Sequence, residues 1–263
     1  MTRAGAVTLP ILTFHALDRE RHVGSLSPRV FRQGIARLSQ RGFRTLALAD
    51  AVAMLRRGAA PPPRSLVLTF DDGYHSVYTD ALPVLAEYGM TATVFVAVGE
   101  PTEVRARDRL PSLFGREMLA WDEIRELSRA GIAIGAHSLT HPDLSRLPAD
   151  RLETEVCRSR AIIEEHLGAA VPGFAYPYGR YDQASYALVR RHFDFACSDI
   201  FALASPSSDP WALERVDTFY FRGPRRFGLL GSRWLPAMVR ALAVPRRFRR
   251  RVMSLVGSGR PSA

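Results

Sequence analysis

Two adjacent acids, Asp71-Asp72, end an apolar run and are followed by Gly73. A double acid leaving a buried segment is costly unless its charges are paired. Successive residues leaving a strand point in different directions, so one carboxylate can hold a metal ion while its neighbour handles a proton. A helix N-cap or an Asp-Gly turn would account for the same residues structurally. Farther along, His137 and His141 are four residues apart, a spacing at which two imidazoles can converge on one ion. Two imidazoles and one carboxylate make a facial set with open positions, as catalytic zinc or a similar divalent ion needs. The alternative is two unrelated surface histidines, although the chain has only seven. Tyr176-Pro177-Tyr178-Gly179 reads as a rigid turn able to present a backbone N–H to a developing oxyanion, or as an ordinary β-turn with core tyrosines.

These groups all follow predicted strands. Residues 7–14 read as a strand ending in His15, 65–70 as one ending in Asp71, 132–135 as one followed by His137, and 173–175 as one that meets Tyr176. Helical spacing is predicted over 27–41, 49–57, 77–88, 121–130, 152–167 and 184–192, with further strands at 43–45, 91–98 and 193–197. Residues 100–116 are charged and read as a surface loop. Strands alternating with helices imply parallel strands joined by crossovers, and strands apolar throughout imply cover on both faces. In an α/β barrel this gathers the polar residues on the C-terminal face of the sheet, where such folds keep their active sites.

Composition sets bounds. Apolar residues make up 47% of 263, enough for a sizeable core. Cys157 and Cys197 fit no metal or disulfide spacing and read as free thiols. The net charge of +10 contains no lysine, and it is unevenly placed: 11 arginines and no acid follow Asp217, while residues 1–217 hold 25 arginines against 26 acids. The chain is therefore not read as a basic nucleic-acid binder. Residues 1–17 lack a secretory pattern and no 18-residue apolar run occurs, so a cytoplasmic location is expected. In 222–251, arginines alternate with Phe227, Trp234, Leu235, Val239, Phe248 and Val252. That pattern suits an amphipathic helix at an anionic membrane surface, or a barrel-flanking helix with a solvated arginine face. The expected division is 1–217 as catalytic domain and 218–263 as an arginine-rich extension with a disordered end.

Thr69-Phe70-Asp71-Asp72-Gly73, His137-Ser138-Leu139-Thr140-His141 and Phe174-Ala175-Tyr176-Pro177-Tyr178-Gly179 resemble, in order, the first three motifs of the polysaccharide deacetylases of carbohydrate esterase family 4, the NodB-homology domain. The resemblance covers about residues 7–217. It implies a distorted (β/α) barrel of about seven parallel strands and one divalent ion, often zinc. It further implies Asp71 as general base, Asp72, His137 and His141 as metal ligands, and the Tyr178 backbone, after Pro177, at the oxyanion.

Two departures stand out. Many members carry arginine where this chain has Ala175, and many have a late Leu-x-His motif, whereas no histidine follows His192. Both are met by resemblance to the poly-N-acetylglucosamine deacetylases, whose acid histidine comes early. Leu12-Thr13-Phe14-His15 is similar to that permuted motif, and Leu213-Glu214-Arg215-Val216 to a late strand motif whose arginine replaces the missing one. This implies His15 as general acid and Arg215 as the partner of Asp71. The expected activity is hydrolysis of N-acetyl groups on an N-acetylated glycan. A small or cyclic amide substrate, or a silent glycan binder, are the alternatives. Tyr74, His75 and Tyr181 are candidate cleft-lining groups, and Trp121 is read as packing.

Overall fold

The computed structural model describes residues 7–19, 24–99, 108–223, 227, 229 and 232–244. The first half holds β1 (Ile11–Phe14), β2 (Ala16–Leu17), β3 (Ser25–Leu26), α1 (Pro28–Gln40), β4 (Arg44–Thr45), α2 (Leu48–Arg56), β5 (Ser65–Phe70), α3 (Leu82–Glu87) and β6 (Thr93–Val96). Then come α4 (Trp121–Arg129), β7 (Ala133–Ala136), α5 (Ala149–Glu153), α6 (Ser159–Leu167), β8 (Gly173–Ala175), α7 (Gln183–His192), β9 (Phe195–Cys197) and β10 (Val216–Asp217). Seven strands form one parallel sheet in the order β10-β1-β5-β6-β7-β8-β9, with β4 beside β5. This is the expected barrel of about seven parallel strands. Its two ends are brought together by one segment: Leu213 bridges to Cys197 of β9, while Val216 and Asp217 pair with Leu12 and Thr13 of β1.

Side chains alternate along each strand, so a curled sheet has two cores. Ile11, Val67, Phe95, Ala175, Cys197 and Leu213 cluster together, and Leu48, Ala51, Val52 and Leu55 of α2 complete that cluster. The other face meets the helices, with Phe14, Phe31, Phe70 and Phe227 packed ring on ring. All six residues of β5 are buried, which explains its near-continuous apolar run.

Two predicted helices are not uniform. The 77–88 stretch opens as a wide turn, Val77–Ala81, before α3. Pro83 lacks the N–H that would continue the ordinary ladder, and the chain passes it with Leu82 N bonding back to Val77 O. The 152–167 stretch carries a second wide turn, Thr154–Arg158, between α5 and α6. The short pairs β2–β3 and β10 are additions, too brief for periodicity to reveal.

Residue 217 marks a change in composition, but the packing continues past it. Phe221, Phe227, Leu235, Val239 and Ala243 are buried in the helix-side core. Within the helix at 235–244 the apolar stripe Leu235, Val239 and Ala243 faces the barrel, and Arg240 lies exposed. This part of the segment is thus a barrel-flanking helix. Phe248 and Val252, on which a membrane-facing stripe would also draw, lie outside the described residues. Among the described residues no helix is long and apolar enough to cross a membrane. Both cysteines are free, and burial pushes the Cys197 thiol up to about 12.

Phe227 is fully buried against Gly34, where a Cβ would sit 2.2 Å from its ring. Phe227→Ala should therefore lower stability by about 3 kcal/mol or more, read as an earlier urea midpoint. An unchanged midpoint would mean that the segment after 217 does not support the barrel.

Candidate active site and metal centre

β5 ends at Phe70, and the chain turns sharply. Asp71 N donates to Phe14 O at 2.9 Å, extending the β1–β5 ladder by one bond. Asp72 then takes φ 75° and Gly73 φ 84°, left-handed conformations that aspartate tolerates and glycine favours. The two carboxylates consequently part. Asp71 meets Arg215, and Asp72 meets the histidines.

The Asp71–Arg215 contact is a buried two-pronged ion pair. Arg215 donates to Oδ1 and Oδ2 of Asp71 at 2.7 Å each, to Thr69 Oγ1 at 3.2 Å, and through Nε to Ser198 O at 3.0 Å. Burial pushes the Asp71 carboxyl up, but the Arg215 charge, with help from His137 and the hydrogen bonds, holds it below its usual range. Asp71 is thus an ionised carboxylate held in one orientation.

Asp72 Oδ1 lies 3.3 Å from Nε2 of both His137 and His141, and the three donor atoms fall within 4.8 Å of one another. His137 donates from Nδ1 to Ala175 O at 2.7 Å, which leaves Nε2 as its ligating nitrogen. Burial alone would lower the His137 pKa, yet the hydrogen bond with Asp72 and the charges of Asp71 and Asp72 raise it. The same negative surroundings favour a metal cation. Two imidazole nitrogens and one carboxylate, opening on a cavity, suit a divalent ion. Burial and the nearby Asp72 charge raise the Tyr74 hydroxyl above its usual range.

The loop between the two histidines is clamped by Glu155, which sequence reasoning missed. Its carboxylate accepts from Leu139 N at 2.9 Å, Thr140 N at 2.8 Å and Thr140 Oγ1 at 2.5 Å. His141 N donates to Ser138 Oγ at 2.9 Å, and both Ser138 and His141 have positive φ. Glu155 is fully buried in the wide turn Thr154–Arg158. A signal was present: Leu152, Val156, Ser159 and Ile163 mark the buried stripe, and an acid three residues after Leu152 falls on it.

One cavity of about 310 Å³ is lined by Asp71, Asp72, His137, His141, His15, Tyr178 and Arg215, so the candidate residues from five loops do converge. His15 is half-buried just after β1 and lines the cavity with Asp71 and Asp72. Tyr178 sits in the turn after buried Pro177 with φ 56°, and its ring meets His141 at 4.7 Å. Gly179 is required there, because a Cβ would lie 2.2 Å from Asp199 Cβ.

Among the weaker candidates only Tyr74 lines this cavity. His75 turns instead to Glu123 and Arg109. Tyr181 stacks between Tyr176 and Tyr186. Trp121 is buried and stacks on His166, which is packing as read from the sequence. Phe114, Ser198, Asp199 and Asp217 also line the cavity and had not been singled out.

Two substitutions test this geometry. Glu155→Ala should weaken divalent-ion affinity about 10- to 100-fold and lower the unfolding temperature; unaltered ion binding would show that the loop holds itself. Arg215→Lys keeps the charge but loses the two-pronged fork, so turnover should fall about 100-fold while the ion still binds. Full turnover would remove Arg215 from the reacting arrangement.

Comparison with known proteins agrees with the geometry. The polysaccharide deacetylase family profile matches residues 58–192. YxkH of Bacillus subtilis, which bears a polysaccharide deacetylase name, is 27% identical over 209 residues, covering 79% of this chain and 70% of its own. The poly-beta-1,6-N-acetyl-D-glucosamine N-deacetylase of Escherichia coli is 32% identical over 110 residues, 40% of this chain and 16% of that protein. The chain thus spans only a small part of that longer relative. The solved structure of Streptococcus pyogenes deacetylase PplD in complex with acetate is similar in fold, with a TM-score of 0.73 at 23% identity over 84% of this chain and 96% of that one. A family match over more than half of the chain, on a barrel whose strand ends gather the family's motifs into one cavity, leads to one assignment: this chain belongs to the polysaccharide deacetylase family.

Proposed function

We propose that the protein hydrolyses N-acetyl groups from N-acetylated amino sugars in a polysaccharide or glycan intermediate, releasing acetate and a free amine. The observation that carries this reading is the pairing, in one cavity, of an oriented ionised carboxylate with a separate two-histidine, one-carboxylate ligand set. A pure binding protein has no use for a base held beside a metal site. The E. coli relative's name, an N-deacetylase of poly-N-acetylglucosamine, supports the substrate class.

Asp72, His137 and His141 would hold the ion, zinc being the best fit to this donor set. When bound, a divalent ion supplies Lewis-acid polarisation of the acetyl carbonyl and of the attacking water. Asp71 accepts a proton from that water as its oxygen attacks the carbonyl carbon. Arg215 keeps the Asp71 carboxylate aligned for the transfer. The Tyr178 backbone N–H, in the turn set by Pro177, would donate to the developing oxyanion. His15 protonates the sugar nitrogen as the C–N bond breaks, so that water and amide become acetate and amine.

The assay is acetate release from N-acetylglucosamine oligomers by metal-loaded protein, with chelator-treated protein and Asp71→Asn as comparisons. Release should need both the ion and Asp71. His15→Ala should cut turnover at least about 100-fold while retaining the bound ion. No release by protein shown to contain metal would redirect the search to small or cyclic amides; full activity of the His15 variant would remove it as the acid.

A further inference from the structure

Phe114, like Tyr178, stands at the cavity in a placement that runs against ordinary folding preferences on two counts. Its ring is 59% exposed, and its backbone has φ 55°, a region that bulky residues avoid. A loop under no other demand would put glycine or asparagine there, and Gly115 beside it also has positive φ.

The turn that carries Phe114 is firmly anchored. Ser112 Oγ donates to Arg116 O at 2.8 Å, and Arg116 N to Leu113 O at 3.2 Å. Arg116 reaches Ser25 Oγ at 2.7 Å and Asp18 at 3.2 Å, with its guanidinium over the Tyr74 ring. The turn therefore links the chain after β6 to the β2–β3 pair. Phe114 is exposed because it is held out, on the lining of the cavity.

Two aromatic rings border the metal ligands. Phe114 meets the His141 ring edge-on at 6.3 Å, and Tyr178, 50% exposed, meets it at 4.7 Å. A pyranose ring offers an apolar face of C–H groups with hydroxyls around its rim. Such a face gains dispersion and desolvation against an exposed aromatic ring while its hydroxyls stay in water.

The geometry points to Phe114 as a substrate-binding residue that stacks on a pyranose ring of the glycan beside the reacting acetamido group, with Tyr178 as a second aromatic ring at the cavity. This rests on the deacetylase reading above and adds a specificity element to it. A small acyclic amide has no ring face to offer Phe114, so the residue favours a ring-bearing substrate such as a glycan.

The test uses the full chain, metal-loaded, as wild type, Phe114→Ala, Phe114→Gly and Phe114→Tyr. KM and kcat for acetate release from N-acetylglucosamine oligomers, the Kd of the same oligomers and the Tm are measured. The Ala and Gly variants should raise KM and Kd about tenfold with kcat within about twofold, the scale of one lost aromatic contact. Phe114→Tyr should restore both. The Tm of the Gly variant should be unchanged or higher, because glycine relieves the backbone. A Phe114→Ala protein with wild-type KM and Kd, or with a lowered Tm and unaltered affinity, would overturn the inference. Oligomers that bind through Phe114 without acetate release would leave the inference standing and sink the deacetylase reading. Acetate release indifferent to Phe114 would do the reverse.

Discussion

The Arg215–Asp71 pair joins the architecture of the barrel to its chemistry. Arg215 sits on the segment that brings the two ends of the sheet together, and Asp71 directly follows β5. Two buried charges are stable only when their hydrogen-bonding capacity is met, because removing either leaves an uncompensated charge at a cost of about 3–5 kcal/mol. Here Nε and both terminal nitrogens of Arg215 donate to Ser198 O, Thr69 Oγ1 and both Asp71 oxygens. The bond therefore does two things at once: it ties strand ends far apart in sequence, and it keeps one carboxylate ionised and aligned.

The ligand set depends on strained backbone, and another buried acid holds the loop between its histidines. Asp72, Ser138 and His141 all have positive φ, and each such residue costs about 1–2 kcal/mol. Glu155 accepts three hydrogen bonds from the loop, and bonds to a charged acceptor contribute about 1.5–3 kcal/mol each. The clamp thus fixes the loop that carries Ser138 and His141. It sits in a wide helical turn, which gives a physical reason for the break in an otherwise regular helix.

Much of this was legible in the sequence for particular reasons. Ser65–Phe70 reads as a buried strand because all six residues are enclosed, and Gly173–Ala175 has the bounds expected of it. The Asp71-Asp72, His137…His141 and Tyr176–Gly179 clusters stand out because chemistry-bearing residues follow apolar runs. Ala175 and Arg215 were readable as complementary departures from one family pattern, and Arg215 lies against Asp71 in a two-pronged contact. Glu155 was hidden within a strong helical pattern, although an acid on an apolar stripe is a visible anomaly. Phe114 was hidden because a charged loop has no periodicity to interpret.

The sequence by itself determined the alternation of strands and helices, the residues that end each strand and the ligand chemistry available there. These depend on local propensity, apolar spacing and residue type, which act within a few positions of one another. The family resemblance already implied which acid faces the arginine and which the histidines, whereas the tertiary structure alone decided how the two carboxylates part, through the φ of Asp72. It also decided that Glu155 clamps the loop, that residues after 217 complete the core, and that Phe114 stands over the cavity. Each of these depends on contacts between segments distant along the chain, and curling of the sheet brings those segments together.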